Sequence, residues 1–164
     1  MKKQNIVIVL LMLFILVALV GYDVFKINSE TIEKTSSVKS LNVDFIKIGK
    51  IEEVGSEGAY AKITSNKKNV TINVPSLLYK GAYAKFPITV KNTGNLTARL
   101  RSIIEKNISS NGSIQISYDG LSVFNKPLKP GDTTEFYVTV SWKDNEFAKS
   151  DNLSFQILLN YVQV

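Results

Sequence analysis

Ser36 and Lys39 stand three residues apart in Ser-Ser-Val-Lys, and Ser150 opens a Ser-Asp-Asn run that ends at Asn152. A lysine one helical turn after a serine can activate its hydroxyl, so the two motifs together raise nucleophilic serine chemistry. The Lys-Thr-Gly motif that should follow is missing. Lys91 to Gly94, Lys-Asn-Thr-Gly, has the wrong spacing and comes before Ser150. The chain has neither histidine nor cysteine. That removes histidine acid–base catalysis, Ser-His-Asp triads, thiol nucleophiles, and the usual zinc sites. Carboxylates remain. Asp144, Glu146 and Asp151 cluster in the loop 143–152, where oxygen ligands could hold calcium weakly. No known calcium-loop spacing fits, so a solvated connection is the preferred reading. Glu52 and Glu53 are adjacent, and on a strand they point to opposite faces, so they cannot act as a catalytic pair.

Whether such residues form a site depends on the elements that carry them. In penicillin-recognising enzymes the Ser-x-x-Lys serine opens a helix of a mixed α/β fold. Ser36 instead lies in "DVFKINSETIEKTSSVKS", residues 23–40, a polar stretch rich in Ser, Thr and Lys that reads as a stalk. From Leu41 onward the apolar period is two. "LNVDFIKIGKI", "AYAKIT" and "NVTINV" are strands, the last two joined by the polar loop "SNKK". "AKFPITVKN" sets Phe86, Ile88 and Val90 on one face, with Pro87 out of register with them and pointing to an edge strand. "TARLRSII" sets Ala98, Leu100 and Ile104 on one face. "SIQISY", "TEFYVTVSW" and "NLSFQILLNYVQV" alternate in the same way.

The turns carry matching chemistry. Gly94 in "NTGN" is expected at positive φ, Asp119-Gly120 is a two-residue hairpin signal, and Pro130-Gly131 suits the centre of a type II turn. The expected fold is all-β: one immunoglobulin-like sandwich of about seven or eight strands over residues 41–164. Trp142 ends an alternating strand; it could stack on a sugar, but capping the core is preferred. Tyr60, Tyr79 and Tyr83 could form an exposed aromatic patch or pack along an edge. The final strand, Asn152 to Val164, has no charge and no proline, so exposed it would template aggregation. It is expected to be paired and half-buried, or completed by a neighbouring chain in strand addition.

Residues 1–22 are of another kind. Lys2 and Lys3 precede Ile6 to Val20, fifteen residues without a polar side chain, and the apolar run extends to Tyr22. Seventeen residues of helix span about 25 Å, the lower limit for crossing a bilayer. The lysines should stay in the cytoplasm and send the rest outside. Cutting after Gly21 or Val20 puts a poor residue at a cleavage position, so an uncleaved anchor is preferred to a cleaved secretory signal. The expected partner of residues 6–22 is therefore the lipid bilayer, and the expected location is the cell membrane with the C-terminal domain outside. The formal charge is +6, or +4 without Lys2 and Lys3, and no dense basic cluster appears. Solubility explains that charge better than attraction to anionic wall polymers, and nucleic acid is not expected as a partner. Asn-x-Ser/Thr triplets at Asn69, Asn95, Asn107, Asn111 and Asn152 are read as chance in a chain rich in these residues.

Three stretches, "FPITVKNTGNLTARL", "LKPGDTTEFYVTVSW" and "LSFQILLNYVQV", together resemble small exported proteins of Gram-positive-type bacteria. Those proteins place one Ig-like sandwich behind an N-terminal hydrophobic segment. The pattern is also similar to the secreted TasA and camelysin group, which builds biofilm fibres. The resemblance covers roughly residues 70–164, and it implies fold far more than activity. The expectation is a non-enzymatic, membrane-tethered domain with a structural or interaction role at the surface, with cell-wall polymers or other surface proteins as partners. No catalytic, metal or cofactor residue is assigned. A secreted matrix or fibre subunit is the alternative, and a glycan-binding module or hydrolase stands third.

Overall fold

The computed structural model describes residues 39–108, 114–121, 126–142 and 153–164, together with Met12, Phe14 and Ile15, which are helical. Among the described residues no helix is long and apolar enough to cross a membrane. Ser36, Asp144, Glu146, Asn111 and the Ser150–Asn152 run lie outside the described residues, as does nearly all of the stalk.

Residues Lys39–Val164 form one compact unit, all-β, with two antiparallel sheets. Nine strands are described: β1 (Val43–Ile48), β2 (Glu52–Val54), β3 (Tyr60–Ile63), β4 (Asn69–Val74), β5 (Tyr83–Asn92), β6 (Ala98–Lys106), β7 (Ile114–Asp119), β8 (Thr133–Trp142) and β9 (Leu153–Gln163). One sheet has the order β1-β5-β8-β7, with β2 continuing along β5 beyond β1. The other has the order β3-β4-β9-β6. The period-two pattern explains what is buried. Ala84, Phe86, Ile88 and Val90 of β5, and Phe136, Val138, Val140 and Trp142 of β8, join Val70, Ile72 and Val74 of β4 and Leu153, Phe155 and Ile157 of β9 in one apolar cluster. Both sheets thus contribute alternate residues to a single core.

Four details depart from the sequence reading. Pro87 is not on an edge strand, because β5 pairs with β1 and β2 on one side and with β8 on the other. Its carbonyl accepts from Gly49 N at 2.7 Å, in the connection where β1 gives way to β2. The missing N–H of Pro87 faces that same break in the ladder, so a central strand tolerates it. Gly94 is not among the positive-φ glycines. It is required by space instead: a Cβ there would sit 2.3 Å from Ser40 O and 2.6 Å from Asn42 N. Asp119-Gly120 ends β7 with Gly120 at φ 81°, but the connection to β8 runs over 120–132 rather than through a two-residue hairpin. Ile104 is 39% exposed. The register of β6 against β9 shifts between Leu100 and Ser102, and that bulge moves every later side chain to the other face.

Other expectations hold. Pro130-Gly131 forms the type II turn, with Gly131 at φ 85° and Asp132 N bonded to Lys129 O at 3.0 Å. The "SNKK" connection closes a β3–β4 hairpin, with Thr64 N bonded to Asn69 O at 3.0 Å. The final strand, β9, is paired on both sides within its own chain, to β4 and to β6. It therefore offers no free edge to a neighbouring chain, and the expectation of strand addition through β9 is withdrawn.

Candidate functional site

The densest polar constellation among the described residues stands where the incoming chain, β1, the β3–β4 hairpin and the end of β5 meet. Lys68 Nζ donates to Asp44 Oδ1 at 2.6 Å, to Val43 O at 3.0 Å, and to Asn42 Oδ1. Thr93 Oγ1 donates to Asp44 Oδ2 at 2.7 Å and accepts from Asn42 Nδ2 at 2.7 Å. Phe45 N donates to Lys67 O at 2.9 Å. Burial pushes the Asp44 carboxyl up, but the hydrogen bonds from Lys68 and Thr93 and the charges of Lys68 and Lys67 outweigh it, leaving it below the usual 3.8. Hydroxyl, amine and carboxylate are thus present together, yet their geometry opposes nucleophilic chemistry. The carboxylate is held ionised, and the Lys68 ammonium spends its protons on three oxygens. What the cluster does is clasp one sheet to the hairpin of the other.

Because its folded pKa is depressed, Asp44 contributes stability that is present above its unfolded pKa and lost as pH falls through the lower folded value. Asp44→Asn is therefore expected to lower the urea midpoint at neutral pH. The gap to the parent should begin to narrow as pH drops below 3.8 and close once pH is under the lower folded value, where both chains carry a neutral group. Urea titrations over a pH series check this, and a constant gap would contradict it.

A second constellation surrounds Asn92, which is fully buried. Its Nδ2 donates to Leu96 O and Leu128 O, each at 2.8 Å, and its Oδ1 accepts from Gly94 N at 3.0 Å. Its backbone bonds to Asp132 O and Gly131 N. The incoming chain docks on the same turn: Thr93 N and Gly94 N donate to Asn42 O, Asn95 N donates to Ser40 O, and Asn95 Oδ1 accepts from Ser40 N. "KNTGN" is thus a joint, which sequence reasoning took for a simple turn. The signal that could have found it is an asparagine continuing the buried parity of Phe86, Ile88 and Val90.

The aromatic candidates separate. Trp142 is 4% exposed inside the core and cannot present a face to a sugar. Tyr60 and Tyr79 are about half exposed, and near Tyr79 lie Gly55 and Ala82, with Leu78 exposed beside it. Tyr83 Oη donates to Glu52 Oε1 at 2.5 Å, while Glu53 Oε1 accepts from Ala59 N at 2.8 Å, so the two adjacent glutamates serve different partners. Glu52, Glu135 and burial with Glu105 raise the phenols of Tyr83, Tyr137 and Tyr118 respectively, and burial pushes Tyr161 up to about 12. At neutral pH these tyrosines remain protonated donors and are not phenolate bases.

Of the remaining expectations, Asn69 and Asn95 are partly or fully exposed on the domain, and Asn107 adopts φ 58° at the end of β6. Among the described residues no three acidic side chains come together as a metal site. A cavity of about 510 Å³ opens between Leu100, Leu121, Leu128 and Tyr161, with Lys126 and Asp132 at its rim. No protein-family model matches the chain, and no curated protein sequence matches it.

Proposed function

We propose that this chain is a membrane-tethered extracytoplasmic domain with an Ig-like fold and a structural or interaction role at a bacterial cell surface. The observation that carries the reading is how the domain uses its polar residues. The Lys68–Asp44 clasp and the Asn92 joint both tie segments distant in sequence to one another, which suits a rigid body that presents surfaces. The strand orders support the Ig-like assignment. With β1 and β2 in the A position, β1-β5-β8-β7 reads A-B-E-D, and β6-β9-β4 reads C-F-G. The G position is filled by β4, which precedes B in the chain rather than ending it.

The tether reading rests on residues 6–22 and on the place where the chain joins the domain. Ser40 and Asn42 are bound at the Asn92 end of β5. Leu78, Tyr79 and Val54, all exposed, lie at its Tyr83 end, a strand of ten residues or about 30 Å away. The test is the mature N-terminus in the producing cell. A chain recovered from membranes that begins at Met1 or Lys2 is the expected result. A chain found in the medium with a new end near Gly21 would replace this reading with that of a secreted matrix or fibre subunit.

A further inference from the structure

A sheet edge presents unpaired N–H and C=O groups, and proteins blunt such edges with charge, proline, bulges, brevity or cover. Each edge strand of this domain but one carries such a device among the described residues. β1 has a bulge between Phe45 and Lys47 and is covered by Lys67 and Lys68. β2 has only three residues and an exposed Glu52. β3 has four residues, with Lys62 exposed in their midst. β6 is long, but it has a bulge and carries Arg99, Arg101, Glu105 and Lys106.

β7 is the exception. Its six residues, Ile-Gln-Ile-Ser-Tyr-Asp, pair with β8 in unbroken register from Ile114↔Trp142 to Asp119↔Tyr137. There is no bulge, no proline and no lysine or arginine, and the one charge, Asp119, stands at the end. Its other side pairs with no described strand. Inward, Ile114, Ile116 and Tyr118 pack on or into the core, and Tyr118 Oη donates to Glu105 Oε1 at 2.7 Å, which fixes the strand in place. Gln115 and Ser117 alternate with them and lie over the outer face.

We infer that β7 is a docking edge for β7 of a second copy of this chain, so that two five-stranded sheets join edge to edge in antiparallel register. The ligand an open ladder recognises is another extended backbone. A second copy is favoured because a two-fold axis brings the same uncharged side chains face to face, with the two Asp119 carboxylates at opposite ends of the paired strands. No like charges meet along β7, whereas β6 carries four charged residues and a bulge that breaks its ladder. The inference rests on the interaction role proposed above and gives that role its surface and its partner.

The absence of cysteine makes the test clean, because one introduced thiol reports on one place. The full chain carrying Ser117→Cys, in membranes of the producing cell, is treated with a short bis-maleimide that bridges the two edges in any register. A covalent dimer of this chain is expected, with its loss when Gln115→Lys is added to charge the edge. Lys62→Cys on β3 and Arg101→Cys on β6 are the comparison positions and should remain monomeric. An unchanged circular dichroism melt of the Gln115→Lys chain excludes misfolding as the cause of the loss. Equal cross-linking at all three positions, no dimer at Ser117, persistence of the dimer with Gln115→Lys, or a product containing a different protein would each overturn the inference. The fraction in which the chain is found tests the tether separately. Secreted but cross-linked chain removes the tether and keeps the edge, and membrane-bound but uncross-linked chain does the reverse.

Discussion

Asn92→Asp is expected to be more damaging than Asn92→Ala, although it changes one atom. The two Nδ2 protons of Asn92 point at the carbonyls of Leu96 and Leu128. A carboxylate in that place would face two acceptors in a site closed to water. Alanine forfeits three hydrogen bonds, but Leu128 O still accepts from Ala98 N and Gly94 N still donates to Asn42 O. A loss of about 3 kcal/mol is expected for alanine. For aspartate the loss at neutral pH should exceed about 4 kcal/mol, enough to unfold many domains of this size. Its burial raises the carboxyl pKa, so the aspartate chain should regain stability as pH falls and the group becomes neutral. Urea unfolding at neutral and acid pH measures both. Equal stability of the two variants at neutral pH would mean that Asn92 is not a buried joint.

The second large effect tests the core. Phe136 is fully buried, and its ring centroid lies 6.5 Å from that of Phe45 on β1. Phe136→Ala should cost about 4 kcal/mol, the sum of lost transfer energy and a cavity that rigid neighbours cannot fill. The next residue supplies the control. Tyr137 faces outward, with Lys85 Nζ 4.6 Å from its ring and its hydroxyl bonded to Glu135. Tyr137→Ala should cost about 1 kcal/mol or less. A small effect at Phe136, or similar effects at both positions, would contradict the alternation that builds the two sheets.

That alternation was the legible part of the sequence. β4, β5, β8 and β9 lie close to where the period-two runs put them, because a strand half-buried on one face must alternate. Parity breaks were not legible. The bulges at Phe45/Lys47 and Leu100/Ser102 add a residue to one strand without any change in composition, so Ile104 was assigned to the wrong face. Pro87 misled because its meaning depends on what its missing N–H would have faced, and that is set by the β1–β2 connection nearly forty residues upstream. Gly94 looked like a φ requirement and is a requirement for space, imposed by Ser40 and Asn42. The Lys68–Asp44 clasp joins residues 24 apart, and nothing local to either marks it. Of the residues whose types first suggested chemistry, Lys39, Glu52, Glu53 and Trp142 are described and are not brought together, and Ser36 lies outside the described residues. The edge at β7 shows in the sequence only as the absence of lysine and arginine, which becomes a signal once the other edges are known to carry protection.

The central claim is that this two-sheet body works outside the cell from a tether at its N-terminal side. Labelling one introduced thiol with a membrane-impermeant maleimide tests it most directly. Lys62 is exposed on β3, and Lys62→Cys is the cysteine-free chain's one reactive site. The account predicts that intact cells label fully and that the labelled chain sediments with membranes. Labelling that appears only after the cells are broken would contradict it.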